Sequence, residues 1–143
     1  MSVCKVISHR GANKQAPQNT IPAFEKSLEI GVDGFETDVH MSRDGVPLTR
    51  HNYTIDETST GIRAISDMTQ DQLRYYDFGS YFPAECRGTN LPTLDEFLTL
   101  CATADIEIMN IELKTPLIGE KGIVKETLAA VKEHGLFDKL LIS

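Results

Sequence analysis

Gly34-Phe35-Glu36-Thr37-Asp38-Val39-His40-Met41 is the stretch whose reading decides the fold. It reads as a strand, and Glu36 and Asp38, two residues apart, then project from one face of it. Arg43-Asp44-Gly45 follows almost at once. Asp-Gly between strand-like runs is a strong hairpin signal, because a type I′ turn needs positive φ at both central residues. With Asp44 and Gly45 as a two-residue loop, Arg43 pairs with Val46 and Asp38 falls opposite His51.

Working outward toward the N-terminus, Val3 to Ser8 is expected to be a first buried strand that ends at His9. Thr20 offers a helix cap, and Pro22 lies in the first turn, where its missing N–H costs little. Ile21, Phe24, Leu28 and Val32 keep roughly helical spacing, and Gly31 ends the segment. Toward the C-terminus, residues 52–92 are less regular and rich in turn formers and aromatics (Tyr75, Tyr76, Phe78, Tyr81, Phe82). Thr69-x-x-Gln72 reads as the capping box of a short helix. This stretch is expected to be an insertion over one end of the core, its aromatics serving as lid and packing.

Thr93-x-x-Glu96 is a second capping box and opens a helix with Leu94, Phe97, Leu98 and Cys101 on one face. Ile106 to Lys114 is a third buried strand, with Asn110, Glu112 and Lys114 on one face and Met109, Ile111 and Leu113 on the other. Gly122 to His134 is a helix with Val124, Leu128 and Val131 as its apolar stripe, and Lys139 to Ser143 begins a fourth strand. Alternation of strand and helix predicts an α/β fold with a parallel sheet and right-handed crossovers. The chemically interesting residues fall at or near strand C-terminal ends, where (β/α) barrels keep their active sites. Residues 1–143 are expected to form one domain, with the insertion at about 52–92 and no internal repeats.

Composition bounds the function. Hydrophobic content of 41% and charged content of 24% are ordinary for a globular chain. A formal charge of −7 argues against a general nucleic-acid or anionic-membrane surface, although a metal and a few cations can reverse the field in one pocket. Cys4, Cys86 and Cys101 are odd in number and lack CxxC spacing, so reduced thiols are expected. No apolar run is long enough to span a bilayer. Met1 leads almost directly into Val3-Cys4-Lys5-Val6-Ile7, without signal-peptide features, so a cytoplasmic location is the expectation.

The candidate chemistry lies in four segments: His9-Arg10-Gly11, Glu36-x-Asp38, His51 and Glu112-x-Lys114. Glu36, Asp38 and Glu112 are candidate metal ligands, and all-oxygen ligation suits Ca²⁺, Mg²⁺ or Mn²⁺. His9 and His51 are candidates for a general acid–base pair, with their roles interchangeable at this stage. Arg10 and Lys114 are candidates to neutralise phosphate, the first as a planar fork and the second as a point charge. Two proton carriers, a cage of oxygens and cationic clamps are what cleavage of a phosphate ester requires. Asn19 is divided between a place near the site and a helix-flanking role, while His40 and His134 are expected to be structural or exposed. Neither a GxSxG elbow nor a phosphate-binding glycine loop is present, which sets aside serine-hydrolase and nucleotide chemistry.

These segments, with Ala16-Pro17-Gln18-Asn19-Thr20, Leu91-Pro92-Thr93-Leu94 and Asn110-Ile111-Glu112-Leu113-Lys114, resemble the amino-terminal half of the glycerophosphodiester phosphodiesterase family. The resemblance covers essentially the whole chain. It implies a (β/α)8 TIM-type barrel of the phosphatidylinositol-phospholipase-C-like type, of which strands one to four would be present, with the hairpin and a small insertion after strand two. It implies metal-dependent hydrolysis of small glycerophosphodiesters to glycerol 3-phosphate and an alcohol, or a lyase-like variant that stops at a cyclic phosphate. The family commonly has Glu where Gln18 stands, Asp where Asn52 stands and Arg where Glu57 stands. A barrel of this kind needs about 250 residues. A truncated chain that binds metal or a partner without turnover, or associates with itself through an open half-barrel, is therefore the competing expectation.

Overall fold

A computed structural model describes residues 4–115 and 122–143. Strand β1 (Ile7–His9) leads into helix α1 (Ile21–Ile30), strand β2 (Gly34–Met41) and the short strand β3 (Pro47–Thr49). The insertion carries the one-turn helix α2 (Gln70–Leu73). Helix α3 (Leu94–Thr103), strand β4 (Ile108–Leu113), helix α4 (Ile123–Glu133) and strand β5 (Leu140–Ile142) follow, and three single 3-10 turns lie between these elements. The strands run β1-β2-β4-β5 in one parallel sheet, with β3 antiparallel on β2. The sheet is open, as half a barrel would be.

β2 is the central strand, and all eight of its residues are buried. It pairs with β4 from Gly34↔Ile108 to Val39↔Leu113. On its other edge, Gly34 to Glu36 pair with β1 and Val39 to Met41 pair with β3. Two faces and both edges are thus satisfied, which explains why a run containing Glu, Asp and His is fully enclosed. β1 differs from the expected buried strand. Val3 lies outside the described residues, only Ile7 to His9 pair, and Val6 and Ile7 are exposed because this strand lies at the sheet's edge.

The hairpin between β2 and β3 corrects the sequence expectation by one residue. Val39 faces Thr49 and Met41 faces Pro47, so Asp38 lies across from Arg50, whose N–H donates to the Asp38 carbonyl at 2.8 Å. Three residues, Arg43 to Gly45, form the loop. Gly45 takes the left-handed φ of 79° that closes such a turn, and its N–H donates to the Ser42 carbonyl at 3.0 Å. Contacts with the insertion stabilise this longer loop: Arg43 N–H donates to Met68 O, and Gln70 N–H donates to the Asp44 carboxylate. His51 therefore follows the paired residues rather than facing Asp38.

α1 and α3 pack against β2 through Phe24, Phe35 and Phe97, whose ring centroids lie 4.7–6.0 Å apart in tilted pairs. Full burial of each such ring contributes about 1.5–3 kcal/mol. α3 buries Leu94, Phe97, Leu98 and Cys101, the face its periodicity predicts, and its capping box is complete at Thr93 and Glu96. Thr93→Ala should cost ~1 kcal/mol in urea unfolding; an unchanged midpoint would assign the helix start to packing alone. Thr20 does precede α1, but its hydroxyl donates to the Pro17 carbonyl at 2.5 Å instead of capping the helix. α4 turns Ile123, Thr127 and Val131 inward and leaves Val124 half-exposed, so its buried face is rotated from the expected stripe toward the sheet.

The insertion has a small core of its own, in which Leu48, Ile55, Ile65, Met68, Leu73, Phe78 and Leu91 are buried. Its capping box at Thr69 and Gln72 is formed. The aromatics divide: Phe78 is core, Tyr76 packs against it, and Tyr75 and Tyr81 are exposed. No helix among the described residues is long and apolar enough to cross a membrane.

Candidate active site

Parallel pairing of β2 with β4 puts Asp38 directly beside Glu112, and pairing of β1 with β2 puts His9 beside Glu36. Glu36, Asp38 and Glu112 each present one carboxylate oxygen within 4.8 Å of the others. Ca²⁺–oxygen distances of about 2.3–2.6 Å allow ligand atoms up to roughly that far apart across one ion. The three oxygens therefore fit a single hard cation. All-oxygen ligation of this kind suits Ca²⁺, Mg²⁺ or Mn²⁺ alike.

Asp38 is the hub of the cluster. It is wholly buried, with Lys114 Nζ 3.1 Å from Oδ1, and with Arg10 Nε 3.3 Å and Asn19 Nδ2 2.9 Å from Oδ2. Lys114 also pairs with Glu112. Burial works against the lysine's charge, but hydrogen bonds and attraction from Glu112 and Asp38 outweigh it and raise its pKa. Glu36 is pushed the other way from an ordinary carboxylate, up to about 7, by burial first and by the Asp38 charge second. The Arg10 N–H opposes that rise by donating to Glu36 Oε2 at 3.1 Å.

The backbone is bent to make these contacts. Arg10 (φ 61°) and Asn19 (φ 56°) are the non-glycine residues with left-handed backbone among the described residues, and both reach Asp38. Such conformations cost about 1–2 kcal/mol each and persist where the surroundings impose them. Gly11 follows at φ 77°, and a Cβ there would lie 2.7 Å from the backbone of Ala23 in α1. The glycine is needed because the His9-Arg10-Gly11 loop rests directly on the helix.

His9 stands at the end of β1, largely exposed, with Nε2 3.8 Å from Glu36 Oε2. His51 lines a cleft of about 440 Å³ together with Glu112, Lys114, Asn52 and Tyr53. Of the seven residues singled out in the sequence, six form one contact network around Asp38 and Glu36, and His51 joins through the shared cleft. His40 is buried, with Nε2 3.1 Å from the His51 carbonyl, and His134 pairs with Asp95 at 2.7 Å; both are structural.

The sequence left Asn19 undecided, and the structure places it under the site. Its Nδ2 donates to Asp38, its Oδ1 accepts from Thr37 Oγ1 at 2.8 Å, and its carbonyl accepts from Thr49 Oγ1 at 2.9 Å. The available signal was its position, since asparagine tolerates left-handed backbone better than most residues. Asn19→Ala should cost ~2–4 kcal/mol through the lost buried bonds and the strained φ. Asn19→Gly, relieved of the strain, should cost less. Chemical unfolding of both variants measures the difference, and equal losses would remove strain from the account.

An open parallel α/β sheet thus gathers three carboxylates, two cations and a histidine near its strand ends. The chain belongs to the glycerophosphoryl diester phosphodiesterase family, whose model matches residues 9–143. It is 36% identical over 138 residues to a glycerophosphodiester phosphodiesterase of Caldanaerobacter subterraneus subsp. tengcongensis, a match covering 96% of this chain and 56% of that protein. Among solved structures, a glycerophosphodiester phosphodiesterase from Agrobacterium tumefaciens superposes with TM-score 0.89 at 30% identity, over 99% of this chain and 58% of that one. An Oleispira antarctica phosphodiesterase in complex with the product sn-glycerol-3-phosphate superposes with TM-score 0.81 at 30% identity, over 98% of this chain and 57% of that one. The chain thus spans somewhat more than half the length of these relatives.

Proposed function

We propose that this chain carries the metal-binding and proton-transfer half of a phosphodiesterase that hydrolyses glycerophosphodiesters to glycerol 3-phosphate and an alcohol. The observation that carries the reading is the Glu36–Asp38–Glu112 cluster packed against Arg10 and Lys114. Three carboxylates and two cations sum to one negative charge when all are ionised. A divalent cation makes the sum +1, which complements the single negative charge of a phosphodiester. When bound, such an ion supplies Lewis-acid polarisation of a phosphoryl oxygen. Ca²⁺, Mg²⁺ and Mn²⁺ all match the donor type.

The remaining work falls to the chain's own groups. Arg10 and Lys114, held by Asp38, offer N–H donors to the other phosphate oxygens. One of His9 and His51 takes the proton of the attacking hydroxyl, from water or from the neighbouring glycerol hydroxyl. The other delivers a proton to the leaving alcohol oxygen as the P–O bond breaks. Attack by the glycerol hydroxyl gives a cyclic phosphate that water then opens to glycerol 3-phosphate.

Release of glycerol 3-phosphate from glycerophosphocholine and glycerophosphoethanolamine tests this reading, with Ca²⁺, with Mg²⁺ and with EDTA. His9→Ala and Glu36→Ala serve as controls. Turnover that needs metal and both side chains is the expected result. Silence with metal binding intact would replace it by the second reading, a chain that binds metal without turnover. Pairing of the open sheet with a second copy through edge strands β1 and β5 belongs to this second reading. A strictly monomeric chain in analytical ultracentrifugation would exclude that pairing.

A further inference from the structure

His51 does not meet the site alone. Its Nδ1 is hydrogen-bonded to Asn52 Oδ1, and Asn52 Nδ2 is hydrogen-bonded to Glu57 Oε2. We propose that Glu57, acting through Asn52, holds His51 in the tautomer with its proton on Nδ1. The inference rests on the reading of His51 as one of the two proton carriers.

The argument is one of donors and acceptors. An ionised carboxylate only accepts hydrogen bonds, so Glu57 compels Asn52 to turn its NH2 toward it. The amide oxygen, which has no hydrogen to donate, is thereby left facing His51 Nδ1. Two acceptors do not face each other at hydrogen-bond distance, so Nδ1 carries the proton. In the neutral ring Nε2 then holds the lone pair, and it is the nitrogen left to act in the cleft that His51 lines with Glu112 and Lys114. Behind the ring's own backbone, His40 Nε2 lies 3.1 Å from the His51 carbonyl and packs edge-on to Tyr53, which steadies the segment. When Nε2 takes a proton, the Nδ1–H bond to Asn52 is kept, so the relay serves both protonation states.

A carboxylate at position 52 would accept from Nδ1 whichever way it turned and would need no orienting partner. An amide can flip, and the flipped form would donate to Nδ1 and move the ring proton to Nε2. The anion at position 57 prevents the flip. Asn52 and Glu57 are therefore positioning residues that work as a pair.

Nitrogen NMR of the nitrogen-15-labelled full chain, metal-free and at a pH where the ring is neutral, tests the relay. The His51 signals are assigned from their absence in His51→Gln. The expected spectrum has His51 Nδ1 as the protonated nitrogen and Nε2 as the bare one. In Glu57→Gln, whose side chain can donate or accept, the two shifts should move toward each other as both tautomers populate. Adding Asn52→Asp in that background should restore the wild-type pattern, a rescue that a merely structural role would not produce. Retained dispersion of the other amide signals checks that each variant folds. A wild-type proton on Nε2, or Glu57→Gln shifts identical to wild type, would overturn the proposal. The readout needs no turnover, so the two failures are separable. If the tautomer is as expected but His51→Gln cleaves glycerophosphodiesters normally, the functional reading fails and the relay stands. If cleavage needs His51 but the proton sits on Nε2, the relay fails alone.

Discussion

Asp38→Ala is expected to eliminate divalent-cation binding and to destabilise the chain by about 3–5 kcal/mol, the usual effect of removing one partner from a buried ion pair. The size follows from its surroundings. Asp38 has no solvent exposure, and Lys114 at 3.1 Å and Arg10 at 3.3 Å converge on it from opposite oxygens. Without the carboxylate two mostly buried cations lose their shared anion, and Asn19 loses its acceptor. Asp38→Asn keeps the shape and one acceptor oxygen but removes the charge, so it should retain more stability while still failing to bind metal. Urea unfolding gives the first quantity and calorimetric titration with Ca²⁺ and Mn²⁺ gives the second. A stability change within about 0.5 kcal/mol, the range of neutral surface substitutions, would mean that the cluster is not built around this residue.

Metal affinity is expected to fall about tenfold for each pH unit below 7, because ligands must lose their protons before they bind. Glu36 sets that pH. Burial and the adjacent Asp38 charge raise its metal-free pKa to about 7, so near pH 5 it is protonated and competes against the cation. An exposed carboxylate would compete in the same direction, but only at much lower pH. Stability of the metal-free chain should move the opposite way. The folded state keeps a proton that the unfolded state has released between the ordinary glutamate value and about 7, so stability falls as pH rises through that window. Added metal should recover the loss above pH 7. Titration calorimetry across this range in buffers of different ionisation enthalpy reads the proton released with each ion bound. No proton release near pH 6 would place Glu36 outside the binding set.

The elements that were legible from the residues are those whose local and tertiary preferences agree. α3 carries its start signal in Thr93 and Glu96 and its buried face in Leu94, Phe97, Leu98 and Cys101, and the fold uses both. β2 has the expected bounds although it encloses Glu36, Asp38 and His40, because pairing on both edges satisfies its backbone along its length. The hairpin was misread by one residue because the loop is selected from outside itself, by Met68 O and Gln70 N–H. α4 shows the same effect, since packing buried Ile123 and Thr127 beside Val131 where the sequence pattern pointed to Val124 and Leu128.

Sequence by itself determined the parts: two histidines, three carboxylates and two cations at strand ends, in an order that fits one family. It could do so because strand period and strand polarity are local properties that place such residues on one face and at one end. Only the tertiary structure decided how they combine. Parallel register sets Asp38 beside Glu112, a left-handed backbone at Asn19 aims its amide at Asp38, and Glu57 reaches back through Asn52 to His51. Those choices depend on distances between segments remote in the chain and on which donors remain unsatisfied once it has folded, and neither is written in local spacing.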